Sequence, residues 1–160
     1  MKSIKVPIYG YKLHISIGDD YKKVVSTINR RTKSTKLNEA DLTSIKDALN
    51  TEHTLGFFLD LYIHGNGLIW LNPKLNPNST KDFITLSHEM NHAAIQIFSY
   101  IGSSVNKETE EPFCYLHDHL TEVCLEELEK RKKDGHNNTK QDKIGVTQEL
   151  VTILKPNITP

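Results

Sequence analysis

The sequence predicts an α+β protein with one main domain, on three observations. Residues 11–17 and 55–71 alternate apolar and polar side chains at the period of two that a pleated strand imposes. Residues 20–31, 38–49, 80–101 and 108–133 carry apolar positions at the spacing of an amphipathic helix. The order of these pieces, a strand and helices, then strands, then two long helices, reads as α+β. At 160 residues, 37% hydrophobic and 25% charged, the chain has the apolar content of one ordinary core.

Each element has its own justification. Tyr11, Leu13, Ile15 and Ile17 alternate with Lys12, His14 and Ser16, which places His14 on the solvent side of a strand. Tyr21, Val24, Val25 and Ile28 give a helix from Asp20 to Arg31 one apolar stripe. Asn38 with Asp41 three residues on is a capping-box signature for a shorter helix carrying Leu42, Ile45 and Leu49. Leu55 to His64 alternates again, Gly65-Asn66-Gly67 predicts a hairpin turn, and Leu68 to Leu71 returns as a strand. Ser79 and Thr80 are N-cap types and Asp82 completes an approximate capping box, so a long helix starts there. Leu86, Met90, Ala93, Ala94, Ile97 and Ile101 fill its buried side, and Gly102 stops it. Pro112 is tolerated only in a first turn, so a second long helix begins near Glu108 to Glu111 and runs towards Lys133.

After Lys133 the stretch Asp134 to Lys143 is polar with no apolar face, which divides the chain into a domain of residues 1–133 and a linker with C-terminal tail, 134–160. Val146, Leu150, Val151, Ile153 and Leu154 make a short apolar cluster in that tail.

Charge and cysteine usage exclude several classes. Twenty basic and twenty acidic residues cancel, so no global field draws in nucleic acid or an anionic membrane. The basic runs Arg30-Arg31-Thr32-Lys33 and Lys130-Arg131-Lys132-Lys133 fall at helix ends, where cations complement the dipole. Cys114 and Cys124 sit on one helix and point apart, so they cannot bridge. With no continuous apolar run for a signal or a span, the expectation is an intracellular, cytoplasmic protein. Oligomeric state leaves no mark in the sequence.

The chemistry concentrates in His88-Glu89-Met90-Asn91-His92. Two histidines four apart on a helix lie one turn apart on nearly one face, where both can hold one zinc ion, and the glutamate between them can hold an attacking water. This composition produces such a match by chance roughly 0.03 times per chain, so the motif is a site hypothesis rather than noise. A catalytic zinc needs a third protein ligand. Glu111 heads the polar stripe of the second long helix and is the first choice, with Glu110 and Glu108 as competitors and His117 and His119 as further candidates.

Residues 68–75 (Leu68-Ile69-Trp70-Leu71-Asn72-Pro73-Lys74-Leu75) and then Asp82 to Ala94 resemble the strand and active-site helix of minimal zincin metallopeptidases, especially SprT-like ones, and small zinc peptidases of bacteriophages. The likeness covers roughly residues 67 to 125, under half the chain. It implies a minimal zincin-like fold, zinc as cofactor, His88 and His92 as ligands and Glu89 as general base. Where the SprT-like pattern has a histidine, this chain has Glu111 before Pro112-Phe113, which moves the ligand set towards the His, His, Glu type of gluzincins. The metzincin pattern is excluded by Ile95 and Phe98, and no CxxC pair supplies a zinc ribbon. By the same likeness, Gly67 to Asn72 is the edge strand on which a substrate backbone is laid.

The function expected is therefore a zinc metalloendopeptidase acting on a protein or peptide, with Tyr115, or one of His117 and His119, steadying the oxyanion. The alternative is a non-enzymatic zincin-fold module, such as a virion component or a binder of a host factor. A DNA-tethered protease is a third reading that the neutral net charge does not support.

Overall fold

A computed structural model describes residues 1–6, 9–32, 36–51, 54–61 and 65–153, with side chains described to residue 134. The chain runs β1 (Lys2–Val6), β2 (Tyr11–Ile17), α1 (Tyr21–Arg31), α2 (Glu39–Asn50), β3 (Gly56–Leu61), β4 (Asn66–Leu71), α3 (Thr80–Tyr100) and α4 (Glu110–Ile153). The strands form one mixed sheet in the order β1-β2-β4-β3. β1 pairs antiparallel with β2, β2 parallel with β4, and β3 antiparallel with β4. The parallel pair needs a crossover, and α1 and α2 lie within it. The α+β expectation holds, with two long helices packed on each other and on the sheet.

Helices cover both faces of the sheet. Leu13, Ile15, Ile69 and Leu71 turn to one face and meet Leu86, Met90, Ala94 and Ile97 of α3 and Leu116, Leu120 and Cys124 of α4. Leu61 and Leu68 turn to the other and meet Val24 and Ile28 of α1 and Ile45 of α2. His14 shares that second face, so it is fully buried rather than on the solvent side. The alternation of residues 11–17 was a sound strand signal, but it did not reveal that a second helical layer would cover the polar positions.

Local signals behave unevenly. Asp20 caps α1 by accepting from the Lys23 amide, and Asn38 and Asp41 form the full capping box of α2. Ser79 is the N-cap of α3 but makes no side-chain cap bond, and the Asp82 carboxylate, which a capping box would turn to the Ser79 amide, accepts instead from the Asn76 amide at 2.9 Å. Ile101 is not part of the buried side: α3 ends at Tyr100, Gly102 takes a left-handed φ of 73°, and Ile101 is left 45% exposed. β1, in which Lys2 and Lys5 interrupt the apolar residues, was not anticipated from the sequence. Gly65 alone of the expected turn has a left-handed backbone; Asn66 and Gly67 already belong to β4, where a Cβ on Gly67 would lie 2.6 Å from the Tyr11 hydroxyl. α4 remains helical through the polar stretch 134–143 expected to be a linker. The expected strand end at Tyr62 to His64 and the last tail residues lie outside the described residues, as do the side chains of the tail cluster.

The edge-strand expectation is overturned. β4, with Gly67 to Leu71, is hydrogen-bonded on both sides, to β2 and to β3, and has no free edge. The edges are β1 and β3, and β3 is the one that meets α3.

Candidate active site

α3 is apolar towards the sheet and α4, and its outer side carries His88, Glu89 and His92 between the exposed Ile84 and Ile95. Met90, Ala93, Ala94 and Ile97 are buried, whereas His88 and His92 are exposed and Glu89 is half-buried. The four-residue spacing brings the two imidazoles together: their Nε2 atoms stand 3.0 Å apart and the rings meet edge to face at 87°. In this state one ring donates N–H to the other. Two nitrogens at Zn–N distances near 2.05 Å in a tetrahedral site would be about 3.3 Å apart, so the pair has almost the span of two ligands of one zinc ion.

Glu89 is held by the sheet. Its Oε2 accepts the Phe58 amide N–H of β3 at 2.7 Å, and a Cβ added at Gly56 would sit 3.5 Å from its Cγ. In an antiparallel strand the N–H and C=O of a residue point the same way, so Phe58, and with it Gly56 and Asp60, turn their backbones away from β4. Two turns along α3, the Gln96 amide donates to the Asp60 carboxylate at 2.7 Å, while the Tyr11 hydroxyl donates to its other oxygen at 2.9 Å. Burial, reinforced by Asp60, pushes the Tyr11 phenol well above its ordinary pKa, so Tyr11 stays a donor. The polar stripe of the motif helix thus lies along the outer rim of β3.

The third ligand is not assembled. Glu111 is exposed in the first turn of α4, as are Glu110 and, just before it, Glu108. Among the described residues no group of three or more His, Cys, Asp and Glu side chains is placed to hold a metal ion. The two imidazoles fit zinc; the donor that would complete the set has not been brought to them. His117 is otherwise engaged, its Nε2 3.2 Å from the Ser87 carbonyl and its Nδ1 3.4 Å from Asp118. Tyr115 is 71% exposed and lines a groove with Phe83 and His119, a groove whose walls do not include His88, Glu89 or His92.

Sequence reasoning missed the partners of the motif. The Phe58 amide is a backbone group with no sequence signature. Gln96, four residues after His92 and seven after Glu89, lay on the same predicted stripe and was readable.

Compared with protein-family models, curated proteins and solved structures, the chain matches none.

Proposed function

We propose that the chain is a zinc-dependent metallopeptidase that hydrolyses peptide bonds of a protein substrate, with His88, His92 and Glu111 as metal ligands and Glu89 as general base. The observation that carries this reading is the approach of the two Nε2 atoms to 3.0 Å beside a carboxylate parked on the free rim of β3. Zinc held there supplies Lewis acidity, activating a water and polarising the scissile carbonyl. The rest is done by the chain. Gly56, Phe58 and Asp60 offer outward backbone groups to which an extended substrate adds as another strand. Substrate can take the Phe58 N–H only when Glu89 leaves it, and the released carboxylate then accepts a proton from the attacking water. As the C–O bond forms and the C–N bond breaks, that proton passes to the departing amine. Glu111, at the start of α4, would complete the ligand set, with Glu110 and Glu108 as substitutes, and Tyr115 remains a secondary candidate for the oxyanion.

One observation favours the second reading, a zincin-like binding module without catalysis: no third ligand joins the histidine pair among the described residues. Glu89→Gln separates the two. It keeps an acceptor for the Phe58 amide and removes the base, so zinc content and folding should persist while peptide cleavage falls by roughly 10² to 10⁴. His92→Ala should lose most of the zinc, measured by mass spectrometry. Full activity in Glu89→Gln would overturn the proton transfer, and a wild type that cleaves nothing across a broad peptide library, with a biological phenotype left intact by Glu89→Gln, would favour the binding module.

A further inference from the structure

The groove that takes in Tyr115 has a volume of about 680 Å³ and runs along α4 from Tyr115 to Glu129, with Phe83 of α3 on its other wall. That stretch of helix is roughly 21 Å long at 1.5 Å per residue. Two large apolar side chains stand open in it, Phe83 at 42% and Tyr115 at 71% exposed, with Leu125 half-buried between the helices. Exposed apolar surface collected in a concave site, rather than scattered singly, marks a place where another surface sits.

The rim determines what that surface is. Asp118, Glu122, Glu126 and Glu129 fall on one stripe of α4 and all line the groove. Lys130 reaches Glu126 at 3.5 Å, but Glu122 and Glu129 form no ion pair among the described residues. On a chain of zero net charge this stripe is a local negative field, bounded at its far end by the basic run Lys130 to Lys133. It repels phosphates, and therefore nucleic acid and anionic lipid, and it attracts lysine and arginine.

We propose that this groove docks a cationic amphipathic segment of a partner protein, its apolar side chains on Phe83, Tyr115 and Leu125 and its cations facing Glu122 and Glu129. The mode is a helix laid in a groove, in which apolar side chains one turn apart anchor and flanking charges orient. Docking does not need the metal, because none of His88, Glu89 and His92 lines the groove; Tyr115 and His119, the oxyanion candidates, are the residues the two readings share.

The test uses the full chain without added metal and a fluorescent amphipathic peptide of leucine and lysine, read by anisotropy. Binding should weaken with salt, and the same peptide with glutamate for lysine should not bind. The pair Glu122→Lys and Glu129→Lys turns two attractions into repulsions and should weaken binding roughly tenfold. Charge reversal at Glu39 and Asp47, exposed on α2, changes net charge equally and should leave affinity within about twofold. Phe83→Ser should weaken binding without any change of charge. Equal weakening by the α2 pair, no effect of Phe83→Ser, or tighter binding of a duplex DNA probe would each overturn the proposal.

Discussion

The two faces of the sheet are built on different principles. The α3/α4 face is a dry apolar core: among the described residues, eighteen buried ones from β1, β2, β4, α3, α4 and the β4–α3 connection pack there, from Val6 to Leu128. The α1/α2 face has, among the described residues, six buried apolar ones and a set of buried polar ones. His14 stands 2.7 Å from the Ser3 hydroxyl and 3.3 Å from Asn66 Oδ1, and Arg31 donates to the same Ser3 oxygen. Asp19 receives the Ser16 hydroxyl at 2.9 Å and Lys23 at 2.7 Å, and its carbonyl accepts the Trp70 indole N–H at 2.9 Å. The difference has a lesson for function. The face that carries His88, Glu89 and His92 has apolar packing behind that stripe, whereas the other face spends its polar groups on one another.

If that contrast is right, the largest loss of stability should come from the dry face. Ile97→Ala, at a fully buried site in the apolar core, should cost about 2–5 kcal/mol in urea denaturation. A cost well under 1 kcal/mol would mean that the core there can collapse, and the contrast would fail.

The polar face should instead show itself in acid. Burial outweighs the Asn66 hydrogen bond, which favours the charged ring, and with smaller pushes from Lys12 and Arg31 holds the His14 imidazole down at about 4 in the folded chain, against an ordinary 6.5. The unfolded chain then takes up the proton first, so the stabilisation is complete above pH 6.5 and is lost as pH falls towards 4. The loss should be on the order of 3 kcal/mol across that window. Asp19 extends the trend: burial raises its pKa, but hydrogen bonds from Lys23, Ser16 and the N-terminal ammonium outweigh this and hold it at about 2, so its share is lost between 3.8 and 2. Unfolding curves at stepped pH should be flatter for His14→Gln between 6.5 and 4; an unchanged slope would show that His14 is not the titrating group.

The smallest effect sharpens the comparison at a local scale. Asn38→Ala removes the acceptor for the Asp41 amide at 2.8 Å and breaks the capping box of α2, which should cost about 1 kcal/mol, readable as a shift in Tm. Ser79→Ala, at an N-cap that makes no side-chain bond, should cost much less. Equal costs would mean that residue type, not the bond formed, sets the penalty.

Much of this was legible beforehand, and what was not has physical reasons. Helix starts at Asp20 and Asn38, the periodicity of α3, and the positions of His88, Glu89 and His92 follow from short-range rules, and the structure carries them out. Sheet order is a long-range property. Nothing in Gly67 to Leu71 reveals that β2 will take its second edge, so β4 was mistaken for the rim that β3 provides. His14 failed for a related reason, since alternation reports two faces of a strand but not whether both are covered. The third ligand depends on where the first turn of α4 sits relative to α3, which helical spacing within α4 alone does not determine.

The hydrogen bond from the Phe58 amide to Glu89 has a consequence beyond proton transfer. An open strand is a template on which another chain can polymerise, and sheet proteins guard against this. Here the two open margins are guarded in different ways. β1 is five residues long and carries the exposed Lys5, a charge that deters a neighbouring strand, while Lys2 is paired with Glu127. β3 is shielded by its own helix, with Glu89 on the Phe58 amide and Gln96 on the Asp60 side chain. Glu89→Ala, which unlike Glu89→Gln leaves no acceptor, therefore does more than silence a base: it strips a gatekeeper from the sheet and leaves the Phe58 amide free to recruit a second molecule.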